Sequence, residues 1–271
     1  MTSSNNLFDL SGKVALITGG NSGLGLGFAR GIAKQGGDVV IWGRSQDKNA
    51  QAVNELQALG VRAVSRPVDV SSQGEVIAGF DAAINEFGRI DTVIANAGIP
   101  PNTRSILTTS AEDYHTLLNT NMHGAFYTLQ EGAKRMVERA EGGEPGGSLI
   151  FCGSLSIFQG VPGINPYAAA KGGISAVIRC MAVELGQYGI RANTIAPGYI
   201  KTGFSGGRQD GAIQPEEEWT DIDRHFGTRG AIKRPGFAQD FEGIAAYLAS
   251  DAACWHTGDT IVIDGGALIS M

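Results

Sequence analysis

Cysteine is in short supply. Cys152, Cys180 and Cys254 are the only three in 271 residues. An odd number without ligand-like spacing excludes a disulfide framework and a zinc knuckle. Three buried thiols in a reducing compartment are expected instead. Charge of one sign is also lacking: Lys and Arg total 21 against 27 Asp and Glu, a formal net charge of −6, with no Lys/Arg run. Binding to a phosphate backbone calls for a basic face, so no nucleic-acid partner is expected. No apolar stretch approaches the roughly 18 residues that a membrane span needs. Residues 1–6 are polar, without the charged-then-apolar layout of a signal peptide. Together these absences point to a cytoplasmic protein with no membrane partner. No Pro/Gly/Ser-rich linker divides the chain, so residues 1–271 are expected to form one domain.

Glycine, by contrast, is abundant, with 40 residues and no period. That pattern excludes collagen and repeat folds. Many glycines close short apolar runs, where a strand must turn sharply into a helix. Such runs predict strands at 13–18, 38–42, 63–68, 91–95, 147–152, 190–195 and 260–264. Apolar residues at helical spacing predict helices at 24–35, 48–59, 72–87, 112–138, 167–187 and 240–249. This alternation implies an α/β fold, a single doubly wound parallel sheet of the Rossmann-like kind with helices on both faces. Residues 203–234 break the rhythm, and we expect a substrate lid there.

Directly after the first strand stands Thr18-Gly19-Gly20-Asn21-Ser22-Gly23-Leu24-Gly25. Gly19 permits the tight turn, Gly23 a close backbone approach to a pyrophosphate, and Gly25 close packing of helix on strand. The following helix N-terminus offers free N–H groups and a positive dipole end to phosphates. An ordinary glycine-rich turn would share the composition; the position between strand and helix favours a dinucleotide. The second strand ends Trp42-Gly43-Arg44-Ser45. An acidic residue there would suit a free ribose 2′-hydroxyl, whereas Arg44 suits a 2′-phosphate. Asp69 is placed to meet an adenine amino group, with Val70 beside the ring.

Tyr167 and Lys171 lie four apart at the start of a helical segment, hence on one face. A phenol is a poor base near neutrality, and a neighbouring ammonium is expected to lower its pKa. Ser154 follows the fifth strand, thirteen residues before Tyr167, at the edge where such sheets bind ligands. Asn121, mid-helix and near Gly124, signals either a helix distortion with a water site or a solvent-facing side chain.

With Gly19, Gly23 and Gly25, then Asn96-Ala97-Gly98, Asn121, Ser154, Tyr167, Lys171 and Pro197-Gly198 in this order, the chain resembles the short-chain dehydrogenase/reductases. Gly258-Asp259-Thr260 and Asp264-Gly265-Gly266 match as well, so the likeness covers about residues 10–269. The resemblance implies that Tyr167 exchanges the substrate proton and that Lys171 holds the nicotinamide ribose and depresses the tyrosine pKa. It further implies that Ser154 polarises the carbonyl and that Asn121 holds a water of a proton relay. Asn96-Ala97-Gly98 would line the adenosine side, and Pro197, Gly198, Ile200 and Thr202 the nicotinamide end. The expected activity is hydride transfer between NADP(H) and a ketone or secondary alcohol, in a homotetramer. An NAD-dependent alcohol or polyol dehydrogenase is one alternative; a non-catalytic nucleotide sensor on the same fold is another, although a sensor has no need of the Ser154/Tyr167/Lys171 set. An extended epimerase or dehydratase is disfavoured, since those carry a further substrate domain. The general pattern is nearest 3-oxoacyl-carrier-protein reductases and sugar or polyol dehydrogenases. Residues 201–235 hold six Lys/Arg and six Asp/Glu, so the lid has no charge preference. Phe158, Phe204, Trp219 and Phe226 are candidates for an apolar pocket there.

Overall fold

The structure is a computed structural model and describes residues 6–205 and 213–270. Seven strands, β1 (Val14–Thr18), β2 (Asp38–Trp42), β3 (Ala63–Arg66), β4 (Thr92–Ala95), β5 (Gly147–Cys152), β6 (Ile190–Pro197) and β7 (Thr260–Ile263), build one sheet. Its order is β3-β2-β1-β4-β5-β6-β7, and every adjacent pair is parallel. The helices are α1 (Gly23–Lys34), α2 (Gln46–Gln57), α3 (Gln73–Phe87), α4 (Ala111–Leu118), α5 (Ala125–Glu141), α6 (Asn165–Leu185), α7 (Asp221–Gly227) and α8 (Glu242–Ala249).

Side chains alternate across each strand, so neighbouring residues serve opposite faces. Leu16, Val40, Trp42, Val93, Leu149 and Phe151 pack with Phe80 of α3, Leu129 and Met136 of α5, and Ile174 and Ile178 of α6. Ile17, Val39, Ile41, Ile94 and Ile150 pack on the other face with Phe28 and Ile32 of α1, Leu56 of α2 and Leu248 of α8. Because both faces are covered, the strands read as continuous apolar runs. The chain moves outward from β1 in both directions, and the switch between β1 and β4 opens a crevice at the carboxyl ends of the strands.

Serine hydroxyls fix several helix starts: Ser45 accepts from the Lys48 amide, Ser72 from Glu75 and Ser110 from Asp113. Two expected helices differ, and the one at 240–249 opens as a 3₁₀ turn, Ala238–Phe241, before α8. The helix expected at 112–138 is two helices joined by a π turn, Asn119–Gly124. Asn121 lies inside that turn and is fully buried, so of its two readings the distortion is the one seen. The segment 203–234 is irregular where described, with short 3₁₀ turns at Gly203–Ser205 and Glu216–Glu218 before α7; positions 206–212 of it lie outside the described residues. Cysteine burial also departs from expectation: Cys152 is buried, but Cys180 and Cys254 are exposed, each on the outward side of its segment. Among the described residues no helix is long and apolar enough to cross a membrane, and no group of side chains has a metal-holding arrangement.

Candidate active site

A cleft of about 970 Å³ runs past the carboxyl ends of β1, β2, β4, β5 and β6. All the expected site residues line it except Gly25. Gly25 sits behind the wall: a Cβ there would stand 2.1 Å from the Gly19 carbonyl oxygen. Its bare backbone is what lets α1 start so close under β1. Gly19, at φ +63°, makes the turn in the left-handed region. The turn is bolted to the next loop. Thr18 Oγ1 accepts from the amides of Asn96 (3.0 Å) and Ala97 (2.9 Å), and Asn96 Nδ2 donates to the Thr18 carbonyl at 2.9 Å. Asn96 therefore braces the glycine turn as well as lining the cleft. Sequence reasoning passed over Thr18; its place directly before the turn was the available signal.

At the far end of the cleft stand Arg44, Lys48 and Asp69. The Ser71 hydroxyl and amide hold the Asp69 carboxyl below its usual range, against a small opposing effect of burial, and Arg44 adds to the lowering. Gly43 has no open space beside it. A Cβ on Gly43 would lie 2.2 Å from Asn21 Nδ2 and 2.7 Å from Asn49 Oδ1. The reason is a small network: Asn21 Nδ2 donates to Asn49 Oδ1, and Asn49 Nδ2 donates to the Gly43 carbonyl, both at 2.7 Å. Asn49 is buried. Neither it nor Lys48 stood out in the sequence, because their relation to Asn21 and Arg44 exists only once α2 packs beside β2.

In the middle of the cleft, β5 delivers Cys152, Gly153 and Ser154, and the first two turns of α6 deliver Tyr167 and Lys171. Pro166 is tolerated there because the first helical turn needs no donor. Ser154 Oγ accepts from the Ser156 amide at 3.1 Å. Lys171 is buried, and its ammonium donates to the Cys152 carbonyl at 2.6 Å while lying 5.5 Å from the centre of the Tyr167 ring. Burial pushes the Lys171 ammonium down. Burial also pushes the Tyr167 phenol up, with a hydrogen bond to Ser154 acting the other way. The expected depression by Lys171 is not among the influences on the phenol in this arrangement, where burial acts most strongly.

The Asn121 carboxamide is used on the protein itself. Oδ1 accepts from the Ile99 amide at 2.8 Å and Nδ2 donates to the Ile99 carbonyl at 2.9 Å. The side chain thus ties the π turn to the loop after β4. Of the four candidate aromatics, Phe204 and Phe226 line the cleft and Phe158 and Trp219 do not.

A family model described as enoyl-(acyl carrier protein) reductase matches residues 19–267. Gluconate 5-dehydrogenase from Gluconobacter oxydans is 32% identical over 266 residues, 98% of either chain. A gluconate 5-dehydrogenase structure from Burkholderia cenocepacia, in complex with NADP and tartrate, superposes with a TM-score of 0.86 at 30% identity, covering 98% of this chain and 99% of that one. A 3-ketoacyl-(acyl-carrier-protein) reductase from Brucella melitensis complexed with NADH gives 0.85 at 26%, covering 96% and 100%. The turn, the sheet order and these matches along nearly the whole length agree: the chain belongs to the short-chain dehydrogenase/reductase family.

Proposed function

We propose that the protein is an NADP(H)-dependent oxidoreductase that interconverts a ketone and a secondary alcohol, with Tyr167 as acid and base. The observation that carries this is one cleft holding Ser154, Tyr167 and Lys171 together with a phosphate-type glycine turn. The turn suits a dinucleotide, since side chains at Gly19 or Gly25 would collide with its own backbone or its brace. The amides that open α1 and the residues Asn21, Ser22, Gly23 and Leu24 would hold the pyrophosphate. Arg44 and Lys48 would hold a ribose 2′-phosphate, Asp69 and Val70 the adenine, and Asn96, Ala97 and Gly98 the adenosine side. Lys171 would bind the second ribose, with Pro197, Gly198, Ile200 and Thr202 around the nicotinamide. When bound, the cofactor supplies the hydride.

The chain's own residues manage the proton. Ser154 donates a hydrogen bond to the substrate oxygen and holds it near the phenol. Burial keeps Tyr167 protonated, the form that hands a proton to a ketone oxygen. Asn121 would hold the relay water from the π turn, with its side chain held by Ile99. Phe204, Ile222 and Phe226, from the described part of 203–234, form the substrate wall. We also propose a homotetramer: an apolar groove between α5 and α6 includes Phe126, Val137, Val177 and Met181, and Trp255 and Ile269 stand out from the surface.

The test is Tyr167→Phe, which keeps the ring and removes the proton. Ketone reduction should fall by roughly 10²–10⁴-fold, the usual worth of a general acid, with cofactor affinity retained. Near-normal turnover would remove Tyr167 from this role.

A further inference from the structure

We infer that the substrate end of the cleft is built for an uncharged, apolar ketone rather than for a sugar acid. The inference rests on the reading above, whose site it refines.

The cleft is chemically two-sided. Its charged lining residues are Arg44, Lys48 and Asp69 at one end and Lys171 in the middle, whose ammonium is engaged with the Cys152 carbonyl. Beyond Tyr167 the described lining includes Pro101, Val161, Ile164, Phe204, Ile222 and Phe226 and no charged side chain, and the hydroxyls of Tyr199 and Ser205 there are bonded to Asp223 and to the Ile200 carbonyl. This wall begins at the reacting group: the Phe204 ring centre lies 6.3 Å from that of Tyr167. Phe204 (46% exposed), Ile222 (57%) and Phe226 (40%) leave much of their surface uncovered. Exposed apolar groups gathered around a cleft mark a binding surface.

The wall is also held in place. Ile222 and Phe226 are four apart on α7, so they share a face. Phe226 stacks on Tyr199 with ring centres 5.6 Å apart. The Tyr199 hydroxyl donates to Asp223 Oδ1 at 2.9 Å, and Lys201 Nζ reaches Asp223 Oδ2 at 2.9 Å and the Glu218 carbonyl at 2.7 Å. Lys201 and Asp223 are 3% and 2% exposed. The Lys201 charge is therefore neutralised inside the clamp that positions the wall. A carboxylate entering here would lose water without meeting a counter-charge among the described residues.

The experiment separates this inference from the redox reading. Menthone and ketogluconate are titrated calorimetrically into the enzyme saturated with NADP⁺, where neither can be reduced. Menthone should bind at least tenfold more tightly. Phe226→Ser should weaken menthone roughly tenfold, within the range expected for lost apolar contacts in a pocket, and leave ketogluconate unchanged; Phe226→Leu should restore most of the loss. Equal or tighter ketogluconate binding, or a Phe226→Ser effect shared by both ligands, overturns the inference. Turnover with NADPH is read separately. Discriminating binding without turnover of any ketone would sink the redox reading and leave the pocket's selectivity standing.

Discussion

Under the proposed function, cofactor choice rests on Gly43 and Arg44 at the end of β2. Arg44→Ala removes the guanidinium proposed to pair with a 2′-phosphate. A hydrogen bond to a charged group is worth about 1.5–3 kcal/mol, so kcat/KM for NADPH should drop by roughly 10–150-fold, with that for NADH nearly unchanged. The obvious companion, Gly43→Asp, cannot be added alone. Its Cβ would stand 2.2 Å from Asn21 Nδ2 and 2.7 Å from Asn49 Oδ1. Displacing Asn21 breaks its bond to Asn49, and crowding Asn49 threatens the bond to the Gly43 carbonyl. A buried carboxamide left unpaired costs about 1–3 kcal/mol. Gly43→Asp should therefore lower stability before it improves NADH use. The combination Asn21→Ser, Gly43→Asp and Arg44→Ala removes the nearer of the two contacts and should reverse the preference. Initial rates at saturating ketone, with NADPH and NADH at several ionic strengths, measure it; the Arg44 contribution should shrink with salt because the side chain is exposed. An unchanged NADPH/NADH ratio in Arg44→Ala, or a clear NADH preference in the unaltered protein, refutes the assignment.

Other outcomes are as direct. Gly25→Ala places a methyl 2.1 Å from the Gly19 carbonyl oxygen, so it should cost about 1–3 kcal/mol as overpacking does and weaken cofactor binding. Gly243→Ala, on an exposed position of α8 with nothing within 4 Å, should instead add about 0.5–1 kcal/mol; paired denaturation curves decide. Asp223→Asn leaves Lys201 buried without its counter-charge and should cost about 3–5 kcal/mol at neutral pH. Desolvation opposes ionisation of Asp223, but Lys201, Thr220 and Tyr199 together hold its pKa low. Its contribution is thus present above the unfolded value of about 3.9 and lost as pH falls through the lower folded value. The gap between wild type and variant should narrow in acid, and a gap independent of pH would contradict the ion pair. Light scattering should give a tetramer, and a monomer at working concentration would count against the α5–α6 groove as an interface.

Local chemistry wrote much of this protein into its sequence. A run such as residues 14–18 is apolar throughout because both sheet faces are covered, and glycines mark where strand must turn into helix. Tyr167 and Lys171 share a face because a helix repeats every 3.6 residues. Even the π turn was hinted at, by a polar residue inside a helical pattern near a glycine. What the sequence could not disclose are relations that exist only after packing. Asn49 meets Asn21 and Gly43 only when α2 lies beside β2, and that meeting decides which residues position 43 can accept. Lys201 finds Asp223, a residue far along the chain from it, which turns an apparently available cation into a neutral clamp. The phenol of Tyr167 goes up in pKa rather than down, because desolvation depends on what surrounds a group in three dimensions. Spacing along the chain specifies which side chains can share a face; only the packed structure decides how much water each one loses and which partner takes its charge.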